Sequence, residues 1–169
     1  MKTLLRGGTV ISAQGEKRAD VLLEGEQISA VSENLSAADA QIVDCTGKLL
    51  FPGFIDGHTH FDLEVCGTIT ADDFATGSRA ALRGGTTMVV DFAAPDKGET
   101  LSSGLRRWQV KSEGKTACDY SFHMTIDDWN EGISQELGEM MDRGITSFKM
   151  YMTYPAMMIP EGDMYHALL

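Results

Sequence analysis

From Pro52 onward, the sequence alternates between segments with the two-residue period of a β-strand and segments with the longer period of an α-helix. The predicted strands cover residues 54–60, 86–92, 119–127 and 145–151. The predicted helices cover residues 73–83, 101–113 and 133–143, and a last helix begins near Pro160 and is still running at Leu169. Alternation of this kind predicts a parallel sheet covered by helices, because each parallel connection needs a crossover.

The third predicted strand favours a barrel over an open sheet. Its apolar face carries Tyr120, Phe122, Met124 and Ile126, and its polar face carries Ser121, His123, Thr125 and Asp127. A strand buried between two helix layers would be more uniformly apolar. A complete barrel has eight such units and ~250 residues, whereas residues 52–169 provide four units. We therefore predict an α/β fold in which residues 52–169 form the first half of a (β/α)8 TIM-type barrel.

Residues 1–51 show a different sequence pattern, with short apolar stretches separated by glycines such as Gly7-Gly8, Gly15 and Gly25. This pattern predicts short strands joined by turns. We expect the N-terminal part of a small β-sandwich domain, in which residues 36–40 form a connecting loop.

Composition restricts the partners of the chain. Fourteen Lys and Arg against 25 Asp and Glu give a formal charge of −11, which argues against nucleic acid or an anionic membrane as a partner, since both bind basic patches. Cys45, Cys66 and Cys118 are odd in number and widely spaced, so we expect reduced thiols. The N-terminus lacks the apolar core of a signal peptide, and no apolar run approaches membrane-spanning length. These features predict a cytoplasmic protein.

Two histidines occur at an i, i+2 spacing in the segment PGFIDGHTH, residues 52–60. On a strand, His58 and His60 point to the same side, with Asp56 beside them. Two neutral imidazoles that converge at a strand end can form half of a metal site. In a barrel, the ends of the strands are also where active sites gather.

Lys149 lies near the end of the fourth predicted strand, between Phe148 and Met150. If those two apolar residues pack on helices, Lys149 points into the barrel interior. Burial disfavours the cationic form of a lysine, and a neutral amine can react with carbon dioxide to form a carbamate.

The segment from Pro52 to His60, together with SFKMYMTY at residues 147–154, resembles the dihydropyrimidinase and D-hydantoinase family of the amidohydrolase superfamily. The likeness covers the whole chain and corresponds to the N-terminal part of that family. It implies that His58 and His60 bind one metal, and that Lys149, as N6-carboxylysine, bridges two divalent ions, with zinc the expected metal. It also implies that Tyr154 donates a hydrogen bond to the substrate carbonyl and to the oxyanion that forms.

The resemblance further implies an apolar substrate pocket and an assembled full-length protein. Leu63 would line the pocket with the methionines at positions 152, 157 and 158, and the full-length protein would be a homotetramer that acts on a small cyclic amide. Two further histidines and an aspartate would complete the site from strands beyond residue 169. The 169-residue chain alone is therefore expected to be inactive.

The implied reaction is hydrolysis of a cyclic amide bond by a metal-bridging hydroxide, opening 5,6-dihydropyrimidine or 5-substituted hydantoin rings. One alternative is a sister cyclic amidohydrolase, an allantoinase or dihydroorotase, against which Tyr154 argues. Another is a non-catalytic scaffold like the collapsin-response-mediator proteins, which share the fold but lack the metal ligands. His123 is expected to be hydrogen-bonded rather than a ligand, while Asp56 and Asp91 either support the site or are structural carboxylates.

Overall fold

The computed structural model of the chain describes residues 1–65 and 67–169, so the expectation for Cys66 lies outside the described residues. The chain divides into two compact units, Met1–Pro52 and Gly53–Leu169. The strands are β1 (Lys2–Ser12), β2 (Gly15–Glu24), β3 (Gln27–Ser32), β4 (Gln41–Asp44), β5 (Leu49–Leu50), β6 (Phe54–Thr59), β7 (Glu64–Val65), β8 (Thr68–Ile69), β9 (Thr86–Ala93), β10 (Asp119–Ile126) and β11 (Phe148–Met150). The helices are α1 (Phe74–Arg83), α2 (Leu101–Ser112), α3 (Glu131–Asp142) and α4 (Glu161–Ala167).

The first unit is a five-stranded mixed sheet in the order β3-β2-β1-β4, with β5 also paired to β1. Strand β1 runs antiparallel to β2 and parallel to β4 and β5. The prediction that Gly7-Gly8 separates two strands is wrong, because both glycines lie inside β1, where the register shifts between Leu5 and Gly8. A Cβ atom on Gly8 would lie 2.7 Å from Leu50 Cδ1, so a larger residue there would displace the Leu50 side chain.

The second unit is a four-stranded parallel sheet in the order β11-β10-β9-β6. Helices α1, α2 and α3 connect successive strands. This topology agrees with the predicted α/β fold and provides the four parallel β/α units of the predicted half-barrel.

Side chains at the helix termini set where the barrel helices begin. Asp73 accepts a hydrogen bond from the backbone N–H of Thr76 and forms a capping box with it. Thr100 and Asn130 cap α2 and α3 in the same way through their side-chain oxygens. Each cap satisfies an otherwise unpaired backbone donor, and Ala in its place typically costs ~1 kcal/mol.

The core of the second unit lies between the sheet and its helices. It includes Phe74 and Leu105 from the helices and Phe122, Met124 and Ile126 from β10. Each such side chain contributes ~1.5–3 kcal/mol when fully buried. Since this face of β10 packs on helices, the alternate face, with His123 and Thr125, is turned to the barrel interior.

Three local features differ from the sequence-based expectation. Strand β11 covers only 148–150 instead of 145–151, because Ile145 is buried at 4% exposure and its N–H donates to Met140 O, which extends the turn after α3. Helix α4 ends at Ala167 instead of running through Leu169. The loop after β6 contains a β7–β8 hairpin that no pattern predicted. Within the described ranges, no helix combines the length and apolarity needed to span a bilayer.

Candidate metal centre

The two histidines of the His-x-His segment converge at the carboxyl end of β6. Strand β6 ends at Thr59, so His58 lies in the strand and His60 directly follows it. Their Nε2 atoms are 3.2 Å apart, and their rings meet edge to face with centroids 5.1 Å apart. Thr59, between them, is buried on the opposite side at 8% exposure. The period of the strand therefore directs both imidazoles to one point.

Asp91, at the end of β9, fixes the chain on both sides of His60. Its carboxylate is 1% exposed, and Oδ2 accepts hydrogen bonds from Thr59 Oγ1 at 2.9 Å and from Phe61 N at 2.8 Å. Its Oδ1 accepts from Trp108 Nε1 at 3.0 Å and from the next backbone N–H at 2.7 Å. Four donors can stabilise a buried carboxylate without a cation. Asp91 is thus a hydrogen-bonded carboxylate that supports the site.

The Phe92 ring contacts all three candidate metal ligands. Its ring centroid lies 4.6 Å from that of His58 and 5.0 Å from that of His60. Lys149 Nζ lies 4.0 Å from the same centroid and 4.8 Å from that of Tyr151. Among the described residues, the Lys149 side chain forms no ion pair and no hydrogen bond, while its backbone pairs with β10. The fold thus brings the lysine of β11 to the histidines of β6.

The surroundings of His60 favour its neutral form. Burial lowers the pKa of His60, the Lys149 cation and His58 lower it further, and Asp91 opposes them. A neutral imidazole carries the free lone pair that a metal ligand needs. His60 is therefore available as a neutral nitrogen donor for a metal ion.

His123, which we expected to be hydrogen-bonded, links the two strands that carry the candidate ligands. Its Nε2 donates to the carbonyl of Gly57 on β6 at 3.0 Å, which leaves Nδ1 to accept from the Ser147 hydroxyl before β11. The ring also packs on Phe92, with centroids 4.8 Å apart. These contacts use both ring nitrogens within the protein.

Tyr154 projects from the segment Tyr151–Met158, here called the tyrosine loop. A backbone bridge between Tyr151 and Met158 closes the loop, and the Tyr154 carbonyl accepts from the N–H groups of Met157 and Met158 at 2.8 and 2.9 Å. Tyr154 has a φ of +68° and is 65% exposed. Such a conformation is uncommon for a bulky residue and points to a constrained turn.

A cavity of about 880 Å³ contains the candidate site residues. His58, His60, Lys149 and Tyr154 all line it, together with Leu63 and Met157. The methionines at positions 152 and 158, also expected in this wall, are not among its lining residues, and the first of them is 78% exposed.

The histidine pair has the spacing that a tetrahedral ion requires. Two nitrogens at 2.0–2.1 Å from such an ion are about 3.3–3.4 Å apart, close to the 3.2 Å between the Nε2 atoms. Within residues 1–65 and 67–169, no three His, Cys, Asp or Glu side chains gather into a metal site. Asp56 does not join the pair, because its Oδ1 accepts from the backbone N–H of His58 at 3.1 Å. The described donors therefore fit part of a metal centre.

Comparisons with known proteins agree with this architecture. Residues 49–102 match the amidohydrolase family. The chain is 44% identical over 159 residues to a D-hydantoinase of Streptomyces coelicolor, covering 91% of this chain and 34% of the relative. It is 40% identical over 166 residues to a dihydropyrimidinase of Dictyostelium discoideum, covering 96% of this chain and 33% of the relative. The chain thus spans about a third of the length of these relatives.

Solved structures give the same result. The dihydropyrimidinase from Brevibacillus agri matches 99% of this chain and 37% of its own, with 42% identity and a TM-score of 0.97. A D-hydantoinase from Bacillus sp. AR9 matches 98% of this chain and 37% of its own, with 43% identity and a TM-score of 0.94. Over nearly its whole length, the chain is thus similar to about a third of the length of dihydropyrimidinases and D-hydantoinases, and residues 49–102 match the amidohydrolase family.

Proposed function

We propose that the family-length protein, meaning a polypeptide that continues residues 1–169 to the length of these relatives, is a metal-dependent hydrolase of cyclic amides. It would open 5,6-dihydropyrimidine or 5-substituted hydantoin rings. The observation that carries the proposal is the convergence of His58 and His60 Nε2 atoms at 3.2 Å, in one cavity with Lys149 and Tyr154. The names of the relatives support the substrate class.

In this proposal, His58 and His60 would hold one divalent ion, and Lys149, as N6-carboxylysine, would be a ligand of both ions of a pair. When bound, the two ions, which we propose to be zinc, would activate a water molecule near neutral pH and polarise the scissile carbonyl. Asp91 would keep the two imidazoles in place through Thr59 and the backbone of Phe61. The remaining ligands would come from chain outside residues 1–169.

Tyr154 would act on the substrate itself. Its phenol would donate a hydrogen bond to the carbonyl oxygen, and this bond would strengthen as negative charge develops there. The side chains of Leu63 and Met157 would form an apolar wall for the ring substituent and exclude water from it.

The proposal also covers the localisation, oligomeric state and partners of the protein. We propose a cytoplasmic homotetramer with a small-molecule substrate and no nucleic-acid or membrane partner. The formal charge of −11 supports the absence of these two anionic partners.

An activity panel tests the proposal on purified family-length protein. The substrates are dihydrouracil, a 5-substituted hydantoin, allantoin and dihydroorotate, and we expect ring opening of one or both of the first two. Turnover of only allantoin or dihydroorotate would assign the sister activity, and no turnover with no bound metal would favour a scaffold. His58→Ala should abolish turnover, whereas His166→Ala, an exposed histidine on α4, is the matched control that should retain it.

A further inference from the structure

Thr125 carries a buried hydroxyl without a partner. The residue is 0% exposed, and its Oγ1 has no hydrogen-bond partner among the described residues. Buried polar atoms are nearly always paired, because an unpaired one loses its hydration without compensation. An orphaned hydroxyl in the interior of the sheet therefore indicates that a partner is missing from the described groups.

The sheet register places this hydroxyl beside Lys149. Strands β10 and β11 are parallel, and Thr125 is the direct partner of Lys149. Two residues earlier in each segment, His123 on β10 and Ser147 just before β11 are hydrogen-bonded through their side chains. Because side chains repeat every second residue along a strand, Thr125 and Lys149 share this same interior face.

The Lys149 side chain also passes over β10, the strand that carries Thr125. Lys149 Nζ lies over the ring of Phe92 on β9, and β10 is the strand between β11 and β9. The lysine side chain therefore crosses β10 to reach Phe92. Its head group is held there by the attraction of an ammonium for an aromatic face.

We propose that the Thr125 hydroxyl donates a hydrogen bond to the carbamate of Lys149, an inference that rests on the proposed function. The neutral amine of Lys149 attacks the carbon of carbon dioxide, an N–C bond forms as one C=O π pair moves onto oxygen, and a proton leaves nitrogen for solvent. Thr125 Oγ–H, beside the lysine stem, then donates to a carbamate oxygen and stabilises the carboxylated form.

Two variants separate this role from a purely structural one. Thr125→Val keeps the shape of the side chain and removes the hydroxyl, and Thr125→Ser keeps the hydroxyl. In family-length protein stripped of metal and incubated with ¹³C-bicarbonate, the carbamate carbon is followed by NMR as bicarbonate is raised. In separate samples reloaded with zinc, the bound zinc is measured at low and at high bicarbonate.

We expect Thr125→Val to need about tenfold more bicarbonate for half-carboxylation, because it lacks one hydrogen bond to a charged group. Thr125→Ser should behave like the parent, and the Tm of metal-free Thr125→Val should be equal or higher, since an unpaired polar atom is removed. Thr116→Val is the matched control: it removes a hydroxyl that donates to Ser112 O at 2.9 Å, so it should lower the Tm and leave carboxylation unchanged.

An unchanged bicarbonate dependence in Thr125→Val would overturn this proposal alone. Loss of carboxylation in both Thr125 variants together with a lower Tm would also overturn it, in favour of a packing role. Absence of any carbamate in the parent protein would overturn the proposed function and this inference together.

Discussion

The end of β6 and the tyrosine loop lie on the same cavity but are held in opposite ways. At the end of β6, a carboxylate with 1% exposure joins the segment around His60 to helix α2 through hydrogen bonds of 2.7–3.0 Å. The tyrosine loop is closed by its own backbone, and Lys97 Nζ reaches it from outside through one exposed hydrogen bond of 3.3 Å to Met158 O. Buried, satisfied networks are rigid, whereas exposed single bonds are weak.

This difference separates two tasks. Metal ligands need a geometry that is fixed before the ion arrives, and buried contacts between strands and helices provide it. A group that meets substrates of different shape benefits from a loop that can adjust. We therefore expect changes near Asp91 to alter metal binding, and changes in the tyrosine loop to alter turnover without altering metal content.

Tyr154→Phe, in the tyrosine loop, should have the largest effect on turnover. Removing the phenolic hydroxyl should lower kcat by ~10²–10³, the usual cost of losing one oxyanion donor, while metal content stays at the parent level. Steady-state kinetics and metal analysis of family-length protein measure both quantities. Tyr165→Phe, a change on α4 at an exposed position, is the control. Loss of metal in Tyr154→Phe would contradict the separation of tasks.

Asp91→Asn tests the buried hydrogen bonds at the end of β6. The amide keeps the shape but can accept through only one atom, so the Thr59 and Phe61 contacts or the Trp108 contact must weaken. Metal affinity should fall by ~10–100-fold, as for other groups that orient metal ligands, and chelator competition measures it. Asp20→Asn is the matched control, since this buried carboxylate accepts two backbone hydrogen bonds in the first unit. It should lower the Tm but leave metal affinity intact.

Asp127 sharpens the comparison because it is a buried acid without the donors that Asp91 has. It directly follows β10 and is 7% exposed. Burial raises its pKa to about 6, with its own backbone N–H and Lys97 opposing the shift. The folded state therefore binds this proton more tightly than the unfolded chain, where the pKa is near 3.8. The cost of ionising Asp127 grows as pH rises from about 4 to about 6 and stays constant above that.

Asp127→Asn should therefore stabilise the protein at pH 7 by roughly 1–3 kcal/mol. The difference from the parent should shrink as pH falls and disappear about one pH unit or more below the unfolded pKa of 3.8, where the carboxyl is protonated in both states. Denaturant unfolding at pH 7 and at this lower pH measures it. Equal stability of the two proteins at pH 7 would show that Asp127 ionises without cost.

Lys97→Met is the smallest expected effect. It removes the exposed hydrogen bond to the tyrosine loop and keeps the length of the side chain, so kcat should fall by only about two- to tenfold, in line with one weak hydrogen bond. Lys115→Met, at another exposed lysine, controls for the change in charge. A loss as large as that of Tyr154→Phe would show that Lys97 fixes the loop outright.

Local sequence patterns predicted most of the fold but less of the site. Period-two alternation over 119–127 correctly identified which face of β10 is interior, and Asp73 and Gly84 mark the two ends of α1. The role of Asp91 could not be read locally, because its side-chain donors Thr59 and Trp108 lie 32 and 17 residues away. The shortening of β11 depends on the burial of Ile145 against the end of α3, a tertiary contact that overrides strand propensity.

The central claim is that the His58 and His60 pair and Lys149 belong to one metal centre. The most direct test is the metal content of family-length Lys149→Ala beside that of the parent, after both are loaded with zinc in the presence of bicarbonate. We predict about two ions per chain in the parent and a loss of bound metal in the variant that added bicarbonate does not restore. Retention of two ions and of full activity in Lys149→Ala would contradict the claim.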